Sequence, residues 1–252
     1  MIHRESSQDK EILALIERFE EVKGAGKTPY FDAEEYEDIV EFYMYNMKLD
    51  KAMEATEMGL RIHPDDTHLT TMQVVVYITK ENLEEARRVL TPILNSNDLH
   101  IRLTHIQLLA AEGKGEKALE ILRELKNEEN DDNDCYDIGV TCFDVGFVPE
   151  SLEWLEKSLS INPNSEYTLQ TLCDYYQFAK DYDKTVRLYN KLIDKDPYEP
   201  EYWTGLARSY FHMGQYNETI DACDFAIVSN ESYGEAYAYK AHAYCQLENF
   251  LE

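Results

Sequence analysis

The chain has 252 residues, 44 % of them hydrophobic, and 50 acidic against 24 basic residues leave a formal charge of −26. That balance excludes a sequence-independent nucleic-acid binder, which needs clustered Lys and Arg to displace counterions, and an anionic membrane surface as main partner. The start holds no apolar core of secretory length, no run approaches the ~18 apolar residues of a membrane span, and five scattered cysteines fit a reduced, cytoplasmic setting.

From the amino end, Ile12, Leu15, Ile16 and Phe19 fall at helical spacing and predict an amphipathic first helix over residues 8–23. Lys23-Gly-Ala-Gly-Lys-Thr-Pro29 then breaks it, so residues 1–32 read as an N-terminal helix and linker. The remainder, 33–252, is dominated by one recurring pattern. Its clearest copy is Trp203-x2-Leu206-Ala207-x2-Tyr210, a break at Gly214, then Thr219-x3-Cys223. The small residue opening the second half of each copy recurs as Ala52, Ala86, Ala118, Ser151, Thr185 and Thr219, at spacings of 34, 32, 33, 34 and 34. A fixed period in this range marks stacked helical hairpins, none able to bury its apolar face without a neighbour.

Six full repeats follow, at about 33–66, 67–98, 99–131, 132–165, 166–199 and 200–233, with a partial seventh over 234–252. Gly113, Gly146 and Gly214 share the place just past a first helix, where the chain often turns left-handed. Pro64, Pro163 and Pro197 each close a second helix by pushing the preceding residue out of helical geometry. Pro149 and Pro200 read as first-turn prolines, and Pro92 is expected to kink the second helix of the second repeat near Arg88. The seventh repeat stops at Phe250-Leu-Glu252 before its second helix. This predicts either a fragment of a longer protein or an open end that pairs with something.

These residues resemble the tetratricopeptide repeat family over about nine-tenths of the chain. The pattern falls on Tyr36, Ile39, Val40, Tyr43, Ala52 and Pro64 in the first repeat, and on Ile138, Gly139, Cys142, Ser151 and Pro163 in the fourth. In the fifth it falls on Leu169, Leu172, Cys173, Tyr176, Thr185, Tyr189 and Pro197. The third departs most, with His105 and Ile106 where Leu and a small residue are usual. The resemblance implies an all-α fold: a right-handed superhelical solenoid of helix-turn-helix repeats, whose first helices line a concave groove.

Chemistry finds little to stand on. Gly24-Ala-Gly-Lys-Thr28 matches the end of a phosphate-binding loop, but Glu21 occupies the place of its first glycine and the preceding stretch is helical. Asn127-Glu-Glu-Asn-Asp-Asp-Asn-Asp134 lacks the turn glycine and twelfth-position glutamate of a calcium loop, and reads as a solvated connection. Cys135 and Cys142 share one helix face with no second ligand pair, so they belong to the core. No catalytic residues, metal ligands or cofactors are expected, and the chain is not read as an enzyme.

The groove positions implied by the resemblance are Glu37, Glu41, Tyr45, Thr71, Val75, Leu103 and Gln107 in the first three repeats. In the later ones they are Tyr136, Val140, Asp144, Gln170, Asp174, Gln177, Thr204, Arg208, His212, Ala238 and His242. Family members that clamp acidic chaperone tails use lysines, asparagines and an arginine, whereas Glu37 and Glu41 stand where a Lys and an Asn would. The expected function is therefore a scaffold holding a basic or neutral peptide or protein segment. The alternatives are an assembly element, self-associating through Tyr237, Tyr244 and Phe250, or the recognition half of a longer enzyme or regulator.

Overall fold

The computed structural model describes residues 7–24 and 30–249, and these fold entirely as helices joined by short turns. Two compact units divide the chain, Met1–Glu129 and Asn130–Glu252. The first contains α1 (Ser7–Gly24), α2 (Ala33–Tyr45), α3 (Leu49–Ile62), α4 (Thr67–Thr79), α5 (Leu83–Leu90), α6 (Leu99–Ala111) and α7 (Gly115–Leu125). The second contains α8 (Asp132–Asp144), α9 (Val148–Ile161), α10 (Glu166–Phe178), α11 (Tyr182–Lys195), α12 (Pro200–His212), α13 (Tyr216–Ser229) and α14 (Gly234–Asn249). The phosphate-loop look-alike, beyond Gly24, and the terminal Phe250-Leu-Glu252 lie outside the described residues.

Each hairpin is built the same way. A polar residue caps the first helix: Asp32, Asp66, Asp98, Asp131 or Ser165 accepts a hydrogen bond from the backbone N–H three residues on. Asp32 and Asp131 complete reciprocal boxes with Glu35 and Asp134. The capping by Asp131 and the start of α8 at Asp132 place the end of the acidic stretch inside a helix, which corrects the reading of 127–134 as connection throughout. Pro200 opens α12 and Pro149 lies in the first turn of α9, where an absent N–H costs nothing.

The hairpin turn is a repeated backbone device. At Met47, Glu81, Gly113, Gly146, Lys180 and Gly214 φ is positive, between 55° and 83°. Around each, two N–H groups return to the preceding helix, as in Gly146 N–H to Phe143 O at 3.0 Å and Phe147 N–H to Cys142 O at 2.8 Å. This left-handed closure satisfies carbonyls that the helix end would otherwise orphan.

Packing then follows size. Ala52, Ala86, Ala118, Ser151, Thr185 and Thr219 are all fully buried, as their smallness requires where two helices meet closely. Glycines take the tightest contacts: a methyl at Gly139 would stand 2.8 Å from Leu155, and one at Gly205 would run into the ring and hydroxyl of Tyr189. In the first unit α1 covers the open side of the first hairpin, with Phe19 buried among Phe31, Tyr36 and Tyr43. In the second, Leu169, Leu172, Tyr176, Tyr189, Leu192 and Leu206 form one continuous core with the small residues between them.

Pro92 does not kink α5. The α-helix ends at Leu90 and passes into a 3-10 turn over Thr91–Ile93, so it has 8 residues where α3 has 14. Without an N–H at residue 92 the α ladder cannot continue to Arg88 O, and Arg87 O closes the helix by accepting from both the Thr91 backbone N–H and, at 2.7 Å, its hydroxyl.

Candidate protein-binding surface

Within each unit the first helices lie side by side, and their side chains meet across the seams. In the first unit Glu37 Oε2 and His68 Nδ1 are 2.8 Å apart between α2 and α4, and the His68 ring lies 5.0 Å from that of His100 on α6. Glu41, one turn beyond Glu37, is open to solvent and makes no ion pair with any described residue. Its carboxyl is nonetheless pushed above the usual glutamate range, first by the protein that displaces water around it and then by Asp38. Tyr45 stands free at the end of α2, while Val75 and Gln107 are half-buried.

The second unit shows the same arrangement. Tyr136 on α8 lies 3.4 Å from the Thr171 hydroxyl on α10. Gln170 donates to the Tyr202 hydroxyl at 3.1 Å, and Tyr202 donates to Glu166 at 2.7 Å, linking α10 to α12. Phe211 on α12 meets Tyr239 and His242 on α14 with ring centroids 5.8 and 6.3 Å apart. Val140 is half-buried, Ala238 exposed. Asp144, Asp174 and Glu201 all have carboxyls raised above the ordinary range, burial being the largest cause in each.

Three positions assigned to the groove contribute no exposed group. Thr71, Leu103 and Thr204 are buried, and the two hydroxyls donate to their own helices, at His68 O and Pro200 O, 2.7 and 2.8 Å away. These side chains lie in the packed seam between helices rather than on the open face.

A recess of about 270 Å³ opens on the second unit, lined by Asp174, Gln177, Phe178, Tyr182, Arg208 and His212. Gln177 is tied to Gly205 O at 3.4 Å, and Tyr182 stacks on His212 at 5.1 Å and 11°. Phe178, Tyr182 and Glu201 were absent from the groove positions taken from the sequence. Tyr182 starts a second helix, so a pattern restricted to first helices passes over it. The first unit has its own recess of about 410 Å³ between α5, α6 and α7, beside the shortened end of α5. Its rim holds Glu112, whose carboxylate is kept low chiefly by Lys114 and Arg87 against the opposing effect of burial. No cluster of three or more metal-binding side chains occurs among the described residues, and none of their helices is long and apolar enough to cross a membrane.

A family model described as tetratricopeptide repeat matches residues 188–221. Over 135 residues, 53 % of this chain and 18 % of the relative, the sequence is 28 % identical to RNA polymerase II-associated protein 3 of Xenopus laevis. The Homo sapiens protein of that name is 32 % identical over 78 residues, 31 % of this chain and 12 % of its own length. This chain thus spans under a fifth of the length of these curated relatives. Among solved structures, a tetratricopeptide repeat protein from Parabacteroides merdae is similar at 19 % identity and a TM-score of 0.47, over 86 % of this chain and 87 % of that one. YrrB, described as a TPR protein with an unusual peptide-binding site, is 15 % identical with a TM-score of 0.45, over 90 % and 98 % of the two chains.

Proposed function

We propose that the chain, whose residues 188–221 match the tetratricopeptide repeat model, is a non-catalytic scaffold holding a basic or neutral protein segment on its first-helix surfaces. One observation carries the charge preference. Glu41 and Asp144 are exposed carboxylates on those surfaces with no ion-pair partner among the described residues. Each is drawn toward neutrality by the protein around it and has no cation of its own, so a ligand's Lys or Arg that settles beside it gains a charge pair. The helices are already formed, so ordering falls mainly on the ligand. The relatives' names, which record association with RNA polymerase II, are in keeping with a protein partner. A cytoplasmic setting belongs to the same reading and rests on the buried thiols of Cys135, Cys142, Cys173 and Cys223.

An array of peptides graded in net charge, probed with the intact chain and with a Glu41→Gln, Asp144→Asn variant, tests the proposal. Basic and neutral peptides should bind the parent best, by a margin that narrows as salt rises, and the variant should lose the bias. Equal binding of acidic peptides, or a bias untouched by the two substitutions, would overturn it.

A second reading is self-association through α14. Tyr237 and Tyr244 are 47 % and 48 % exposed there and give α14 an open aromatic edge. Sedimentation over a concentration series decides it: a Tyr237→Ser, Tyr244→Ser variant should remain monomeric where the parent associates, and a parent monomeric throughout sinks the idea.

A further inference from the structure

The recess on the second unit holds a pair of opposite charges that do not meet. Arg208, half-buried on α12, makes no hydrogen bond or ion pair with any described residue, and its Nε is fully buried without an acceptor. Asp174, on the neighbouring α10, lines the same recess and feels the field of Arg208, but no ion pair joins them. Such an arrangement leaves a donor fork and an acceptor facing one space. A guanidinium with a buried, unmet N–H is costly to leave, and the exposed Asp174 carboxylate stands beside it, so the group that fits best serves both.

We propose that this recess binds a side-chain carboxamide, that of a glutamine or asparagine in the held segment. Its C=O accepts from the Arg208 guanidinium while its NH2 donates to the Asp174 carboxylate. A ligand carboxylate would satisfy Arg208 but face Asp174, in a region where Glu201 already feels the Asp174 charge. A ligand guanidinium or ammonium would satisfy Asp174 but face Arg208. An apolar group would leave both unmet. A carboxamide is neutral and presents its donor and acceptor side by side on one planar group, whereas a neutral imidazole points its donor and acceptor in diverging directions. The stacked Tyr182 and His212 and the exposed ring of Phe178 supply apolar walls for the methylenes that carry it. The inference rests on the scaffold reading and names one residue of the segment that the scaffold would hold.

The test uses the intact chain and small probes: N-acetyl-glutamine methylamide, and the glutamate, arginine and norvaline counterparts. Titrations followed by NMR read the Arg208 Nε–H resonance and the backbone amides of Gln177 and Phe178. The glutamine probe should shift all three saturably and bind more tightly than the other probes. Arg208→Met and Asp174→Ala should each weaken it about tenfold, the loss of one charge-assisted hydrogen bond, while circular dichroism stays that of the parent. A glutamate or arginine probe that binds as well, a glutamine affinity indifferent to Asp174→Ala, or no shift up to the solubility of the probe would each overturn the assignment. Failure here with charge-graded peptides still held would remove the carboxamide recess and leave the scaffold standing.

Discussion

The hairpin turns show how much one dihedral angle decides. Three of the six left-handed positions are glycine, and three are Met47, Glu81 and Lys180, which pay for their Cβ. A methyl at Gly146 would meet nothing within 4 Å, so the cost of Gly146→Ala is conformational alone. We expect about 1–2 kcal/mol of destabilisation, and a smaller gain from Lys180→Gly, both read by urea unfolding. Asp144 gives a second case, in pH. Its carboxyl titrates higher folded than unfolded, so ionising it opposes folding above the folded value, and that penalty disappears as pH falls through it. Asp144→Asn should therefore stabilise the chain at neutral pH, with an advantage that vanishes below the ordinary aspartate value of about 3.9. Glu166 acts in the opposite sense, since Lys195 and Tyr202 hold its carboxyl low and its contribution is lost on acidification.

At the scale of elements, α1 matters out of proportion to its repeat-free sequence. Phe19 is 1 % exposed and touches the rings of Tyr36 and Tyr43 in the first hairpin and of Phe31 just ahead of it, while Glu20 accepts from the Tyr43 hydroxyl and pairs with Lys51. A hairpin at the end of a stack has one apolar side without a repeat to cover it, and α1 takes that place. Phe19→Ala should cost about 3–5 kcal/mol, the usual range for a buried phenylalanine. Hydrogen exchange should rise first in α2 and α3, and a rise confined to α1 would show that the helix merely rests on the surface. The fate of α5 is the complementary lesson. One proline shortens a helix, and a recess of about 410 Å³ lies beside its shortened end.

Across a whole unit, stability is a sum of neighbours. Each hairpin touches mainly the next, so damage should spread by contact and weaken with distance. Leu206, 3 % exposed in the middle of the second unit's core, is the place to test this. Leu206→Ala should cost about 2–5 kcal/mol and loosen α11 to α14 before α8 and α9. Uniform loss of protection from α8 to α14 would mean that the unit melts as one cooperative block instead. The formal charge of −26 acts at the same scale, raising solubility and drawing any cationic molecule faster at low salt.

The period of small residues was enough, by itself, to announce stacked helical hairpins, because a buried Ala, Ser or Thr at Ala52, Ser151 or Thr219 is the only size that lets two helices close. Gly113, Gly146 and Gly214 announced half of the turns, and Pro149 and Pro200 announced two helix starts, since each residue type is tied to one backbone geometry. The other turns, at Met47, Glu81 and Lys180, carried no such mark: tertiary packing imposes the angle on residues that would not choose it. The open surface was decided later still. Register alone could not separate Asp174, which reaches solvent, from Thr204, whose hydroxyl turns back on its own helix. Nor could it bring Tyr182 from a second helix against His212, or leave Arg208 and Asp174 facing one recess unjoined. Those are properties of how neighbouring hairpins dock, and only the folded chain fixes the distances on which binding depends.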